Sequence, residues 1–120
     1  MSYTFDNNIP IYIQLVNIVR VDIVSGKLSI GSRLPSVREL AFYYKVNPNT
    51  MQKALVELEQ EKLIYTERTN GKYVTEDKKV INKIKEKLAK EKVNDYLNSM
   101  NSIGITYEES IKYLQELGGK

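Results

Sequence analysis

The sequence predicts a mainly α chain with one small β-hairpin, divided into an N-terminal domain over residues 1–76 and a two-helix segment over 77–120. Three observations predict it. Apolar residues recur at three- and four-residue steps in five separate stretches. Helix-start signals stand at the heads of three of them, as Ser36 with Glu39, Asn47 with Pro48, and Thr106 with Glu109. Between residues 63 and 75 two short β-type runs flank an Asn-Gly pair.

Composition narrows the function. A chain of 120 residues that is 42% apolar can build one small core and little more. It contains no Cys, which excludes disulfides and thiolate metal sites, and no His, which removes the commonest general base and metal ligand. No cofactor or metal is expected. The Asp, Glu and Tyr residues form no convergent constellation, so an enzyme is disfavoured. No window approaches eighteen consecutive apolar residues, and the start, MSYTFDNNIP, lacks the regions of a signal peptide. The expectation is a cytoplasmic protein without membrane contact. The net charge of +3 permits a polyanionic partner without demanding one.

The first element is a helix over PIYIQLVNIVRVDIVSG, with Pro10 pre-set for a first turn and Gly26 placed to stop it. Ile11, Leu15, Val19 and Ile23 repeat every four residues, with Gln14, Asn17, Arg20 and Asp22 as polar positions between them. KLSIGSRLP follows as a connector. A short helix then opens at SVRELAFYY, where Ser36 and Glu39 can satisfy each other's backbone amides. Val37, Leu40, Ala41 and Tyr44 make its inner face, and the FYY run of Phe42 to Tyr44 reads as packing, with Tyr43 a candidate hydroxyl donor to phosphate.

The next helix has a sharply specified start, with Asn47 as N-cap and Pro48 at the first position, where a missing N–H costs nothing. At about 100° per residue, Met51, Ala54, Leu55 and Leu58 share one face. Asn49, Thr50, Gln52 and Lys53 lie away from it. Two short helices joined by a tight turn, the second showing polar groups at its start, describe a helix-turn-helix. The runs 63–67 and 72–75, separated by Arg68, Thr69, Asn70 and Gly71, add a hairpin. Together these make a winged helix-turn-helix.

PIYIQL, then Gly26, Leu28 and Gly31, then LPSVRELA, VNPNTMQKALVELEQEKLIY and GKYV resemble the DNA-binding domain of the GntR family of bacterial transcription regulators over residues 9 to 75. The short tail, with SIGITYEESIKYLQEL, is similar to the YtrA subfamily, which carries a small helical dimerisation segment instead of a large effector domain. The resemblance implies a regulator that commonly represses a membrane-transporter operon. It implies DNA contacts at Arg38, at Asn49 and Thr50, and at the wing glycine Gly71, with Arg33, Gln52, Lys53 and Lys72 near phosphates or base edges.

Each position also has a plainer role. Arg38 could pair with a surface carboxylate, Asn49 and Thr50 could serve as local caps, and Gly71 could answer only to its turn. Two positions depart from the family pattern. Tyr44 and Lys45 stand where the family has Leu-Gly before the Val, so a left-handed Lys45 would cost on the order of 1 kcal/mol. TNG replaces a basic Gly-Lys-Gly wing, leaving a tip that is less flexible and less charged.

Residues 1–75 carry nine basic and seven acidic side chains, so placement rather than bulk charge must steer a nucleic acid. In the tail, KKVINKIKEKLAKEKVNDYLNSM reads as one long helix with Ile81, Ile84, Leu88, Val93, Leu97 and Met100 on a broad stripe. Its interleaved Glu residues and lack of aromatic anchors favour a protein partner over a membrane surface. Gly104 ends it. A last helix then carries Tyr107, Ile111 and Leu114 at a spacing suited to packing back. Two amphipathic helices cannot bury both their apolar faces alone, and a twofold-related second copy is the simplest cover.

The reading is thus a homodimeric winged-helix repressor on a palindromic double-stranded DNA operator. The competing class is a winged-helix adaptor whose tail docks another polypeptide. A small effector is unspecified, since a tail of roughly 45 residues offers little room for a pocket of about 300 Å³.

Overall fold

The computed structural model describes residues 4–119. Its elements run α1 (Ile11–Val24), α2 (Val37–Tyr44), α3 (Pro48–Gln60), β1 (Ile64–Glu67), β2 (Gly71–Val74), α4 (Lys78–Ser102) and α5 (Tyr107–Gly118). This is the winged helix-turn-helix with C-terminal helices that the sequence predicts.

On α1 the expected stripe residues Leu15, Val19 and Ile23 are buried, together with Val16. Ile11 is not, being 46% exposed. A four-residue repeat drifts by about 40° per step on a helix of 3.6 residues per turn, so a stripe centred on Val19 leaves the core at its far end. Pro10 stands at the N-cap rather than inside the first turn. Asp22, expected among the outward polar positions, is buried instead and accepts a hydrogen bond from the Tyr44 hydroxyl at 2.8 Å. A carboxylate is tolerated at such a depth only with partners of this kind. Gln14 folds the preceding segment onto the helix, donating from Nε2 to the carbonyls of Asp6 and Ile9 at 2.7 and 2.8 Å.

The Ser36–Glu39 capping box opens α2, and the helix closes on Lys45 in the left-handed conformation, φ 60° and ψ 47°. The lysine therefore adopts the backbone for which the family uses glycine. It does so because the Lys45 and Val46 amides can then reach the carbonyls of Phe42 and Ala41, at 3.3 and 2.9 Å, and turn the chain into α3. Leu40, Ala41 and Tyr44 are buried. The FYY run is not all packing, since Phe42 is 86% exposed and only Tyr44 of the three points inward. On α3, Met51, Ala54, Leu55 and Leu58 are completely buried, and this face packs against α1 and α2.

The hairpin pairs Ile64 with Val74, Tyr65 with Tyr73, Thr66 with Lys72 and Glu67 with Gly71. Three residues, 68–70, make the turn. Gly71, expected as the last turn residue, is instead the first residue of β2, at φ +94°. Part of the expected connector joins this sheet. Arg33 bridges Tyr73 in antiparallel sense, flanked by bonds from the Leu34 amide to the Lys72 carbonyl (2.8 Å) and from the Val74 amide to the Ser32 carbonyl (2.9 Å).

Contacts within the chain divide it into two compact units, Met1–Lys85 and Glu86–Lys120. The first two turns of α4 pack with the first unit, where Ile81 belongs to the core and Val80 and Ile84 lie against it. Ile81 and Ile84, expected on the dimer stripe, thus lie in and against the core of the first unit. In the second unit Leu88 is buried, Leu97 and Met100 are half-buried and Val93 is exposed. The Thr106–Glu109 capping box opens α5 as expected. The Tyr96 hydroxyl donates to the Ser110 carbonyl at 2.7 Å, and Ser110 is the only buried residue of α5 among those described. Tyr107, Ile111 and Leu114, expected to pack back, stay exposed, because one neighbouring helix segment cannot cover a whole apolar face.

Candidate nucleic-acid interface

Burial of one face of α3 decides where the other points. With Met51, Ala54, Leu55 and Leu58 in the core, Asn49, Gln52 and Lys53 are exposed and Thr50 half-exposed. Asn47 Oδ1 accepts from the Asn49 amide at 2.8 Å, so the cap is supplied from outside the helix. Among the described residues the side chains of Asn49, Thr50 and Gln52 make no hydrogen bond. Local capping therefore does not occupy Asn49 or Thr50, and their polar groups remain available to a ligand.

Arg38 lies in the first turn of α2, is exposed, and has no ion pair among the described residues. The plainer role, pairing with a carboxylate, is therefore not the one it takes here. Glu39, its neighbour, is held in the capping box, with Oε1 accepting from the Ser36 amide at 3.2 Å. A guanidinium beside the amide end of a helix suits an anion.

The wing side is built from two chain segments. Pairing of 31–34 with β2 carries Arg33 against Gly71, where a Cβ would lie 3.4 Å from Arg33 Nε. Arg33, Ser36, Arg68 and Lys72 line a groove of about 770 Å³ between the start of α2 and the hairpin. Arg68, exposed in the hairpin turn where the sequence places it, is a further cation on this groove that the sequence reading did not assign to DNA. Lys72 differs from the other candidates. Its ammonium pairs with Glu59 at 3.2 Å and donates to Thr66 Oγ1 at 2.9 Å, so its charge braces β2 against α3 and is already neutralised. On the other strand face Tyr65 and Tyr73 stack at 5.7 Å. Desolvation, aided by Glu76 and Glu67, pushes the Tyr65 phenol above its ordinary value.

At the opposite edge Lys53 lies over the ring of Tyr12, with Nζ 4.0 Å from its centroid. Tyr12 falls outside the four-residue repeat of α1, and no signal in the sequence marked it.

The tail offers a different surface. Tyr96, Met100, Ile103, Ile105, Tyr113 and Leu114 border an open apolar depression of about 590 Å³, entirely within the second unit. The hollow is open to solvent, because α5 leaves its apolar face uncovered.

A helix-turn-helix whose second helix exposes polar groups at its start, with arginines that form no ion pair among the described residues beside it and a two-stranded wing, defines a DNA-binding winged-helix protein. Residues 11–74 match the family described as bacterial regulatory proteins, gntR family. The HTH-type transcriptional repressor YtrA of Bacillus subtilis (strain 168) is 34% identical over 117 residues, 92% of this chain and 90% of that protein. A GntR family transcriptional regulator from Listeria monocytogenes superposes with a TM-score of 0.83 at 41% identity, over 94% of this chain and 99% of that one. The DNA-binding domain of AraR, solved in complex with operator ORR3, superposes with a TM-score of 0.52 at 25% identity, over 62% of this chain and 88% of that one. The chain belongs to the GntR family, and its short helical tail fits the YtrA-like subfamily. It is a DNA-binding transcriptional regulator, which is not an enzymatic kind of protein. No helix of the described residues is long and apolar enough to cross a membrane.

Proposed function

We propose that this regulator is a cytoplasmic homodimeric repressor that reads a palindromic operator through Asn49, Thr50 and Gln52, with Arg33, Arg38 and Lys53 on the DNA backbone. The observation that carries the reading is the division of α3 into a completely buried face and an outer first turn where, among the described residues, the side chains of Asn49, Thr50 and Gln52 make no hydrogen bond. In this reading Gly71 lets the wing come close to the duplex, and Lys72 supports the wing from behind. The tail pairs two copies through the apolar surface that includes Val93, Ile111 and Leu114, which are exposed in the single chain. Leu88, Leu97 and Met100 form the layer beneath. Repression of a membrane-transporter operon is the biological role that the resemblance to the YtrA subfamily supports.

The experiment is a mobility-shift titration with the promoter fragment of the protein's own operon, paired with sedimentation of the free protein. A specific complex that survives random competitor DNA, formed by two chains per operator, is the expected result. Binding that random DNA abolishes as readily as operator DNA would overturn sequence-specific repression.

A further inference from the structure

Tyr12 stands in the first turn of α1, yet it shares a surface with the recognition helix. Its ring is partly buried and packs against the core. Together with Ile11, Asn49, Thr50 and Lys53 it lines one depression of about 340 Å³. The Lys53 ammonium lies 4.0 Å from the ring centroid, against 5.9 Å for Lys27 over Tyr43 and 6.0 Å for Lys112 over Tyr113. A cation this close to an aromatic face is attracted by the negative face of the ring.

What the ring does to the lysine differs from what a carboxylate would do. On the same helix Glu59 holds the Lys72 ammonium, and the pair is electrically neutral. Tyr12 restrains the Lys53 chain, which is otherwise free to spread over many rotamers, and leaves its full positive charge in place. The N–H groups on the far side of the ammonium stay available to an anion. Asn49 and Thr50, four and three residues earlier, lie on the same side of the helix.

We propose that Tyr12 is a positioning residue for DNA binding, holding the Lys53 ammonium beside the first turn of α3 so that it meets a backbone phosphate next to the bases that Asn49 reads. This rests on the reading of α3 as the recognition helix. Tyr12 acts through Lys53, so its effect must vanish when Lys53 is absent.

The test is a double-mutant cycle on operator binding at fixed, low salt, using Tyr12→Leu, Lys53→Ala and the double variant, with Tyr12→Phe as the conservative control. Tyr12→Leu is expected to weaken binding about two- to fivefold, the range of a partly exposed cation–π contact, and Tyr12→Phe to restore it. In the Lys53→Ala background Tyr12→Leu is expected to have no further effect. Tyr12→Met, closer to the ring in length, repeats the cycle if Tyr12→Leu lowers the melting temperature. Equal losses in both backgrounds, or a loss with Tyr12→Phe as large as with Tyr12→Leu, would overturn the positioning role while leaving α3 as the recognition helix. If Lys53→Ala itself binds the operator normally, both the Tyr12 role and the backbone contact of Lys53 fail together.

Discussion

The guanidinium of Arg33 lies across Gly71, so that a Cβ on the glycine would stand 3.4 Å from Nε and 3.5 Å from Nη2. Gly71 is also at φ +94°, a region that side chains rarely adopt. Gly71→Ala is therefore expected to cost about 1 kcal/mol in folding through its backbone, while the added Cβ would meet Arg33 only at ordinary contact distance. In calorimetry this is a fall of about 4–8 °C in melting temperature. In DNA titrations Gly71→Ala should lower operator affinity, and an unchanged affinity would mean that the wing backbone does not come close to the duplex at this position.

Arg38→Ala removes an exposed guanidinium with no ion pair among the described residues and no part in the core. Melting is expected to stay within about 0.5 kcal/mol of the parent, while operator binding weakens by about 1–3 kcal/mol. A titration at fixed salt checks it, and unchanged affinity would remove Arg38 from the interface.

Asn49 is exposed and is not the cap of its own helix, so Asn49→Ala should alter sequence preference without unwinding α3. Selection from a randomised operator pool should return a consensus relaxed at one position per half-site. An identical consensus would mean that Asn49 does not read a base.

Tail association can be separated from folding because Ile111 and Leu114 are 36% and 51% exposed in the single chain. Ile111→Asp with Leu114→Asp should leave the helical circular dichroism unchanged and convert a dimer into a monomer, since a buried pair of carboxylates is costly only in the interface. Operator affinity should then fall more than any one contact explains, because a dimer presents two recognition helices about 34–36 Å apart and makes the second half-site contact intramolecular. Sedimentation is the measurement, and a variant that stays dimeric would place the association elsewhere. A chain cut at Asp77 is a poorer probe, since it also strips Ile81 from the core.

Lys45 adopts φ 60° with a side chain attached. Lys45→Gly should relieve left-handed strain of about 1–2 kcal/mol, partly offset by the greater freedom of glycine in the unfolded chain. A rise in melting temperature of a few degrees is expected in a thermal scan, and a fall would mean that the lysine side chain makes a compensating contact.

The local pattern of the chain determined most of the winged helix. The Ser36–Glu39 and Asn47–Pro48 starts and the buried quartet of Met51, Ala54, Leu55 and Leu58 are readable because caps and helical spacing act between near neighbours, before any tertiary contact forms. The outward direction of Asn49, Gln52 and Lys53 follows from the same spacing. Tertiary structure decided whatever depends on partners distant in sequence. Asp22 reads as an outward polar residue until Tyr44, 22 positions later, supplies a hydroxyl in the core. Lys72 reads as an unpaired cation until Glu59, 13 positions earlier, is brought beside it. Ile81 fits an amphipathic stripe equally well whether a second copy or its own core covers it, and only the closure of the first unit chose the core. Tyr12 lies beside Lys53 because α1 packs against α3, a consequence of packing that periodicity within one helix cannot express.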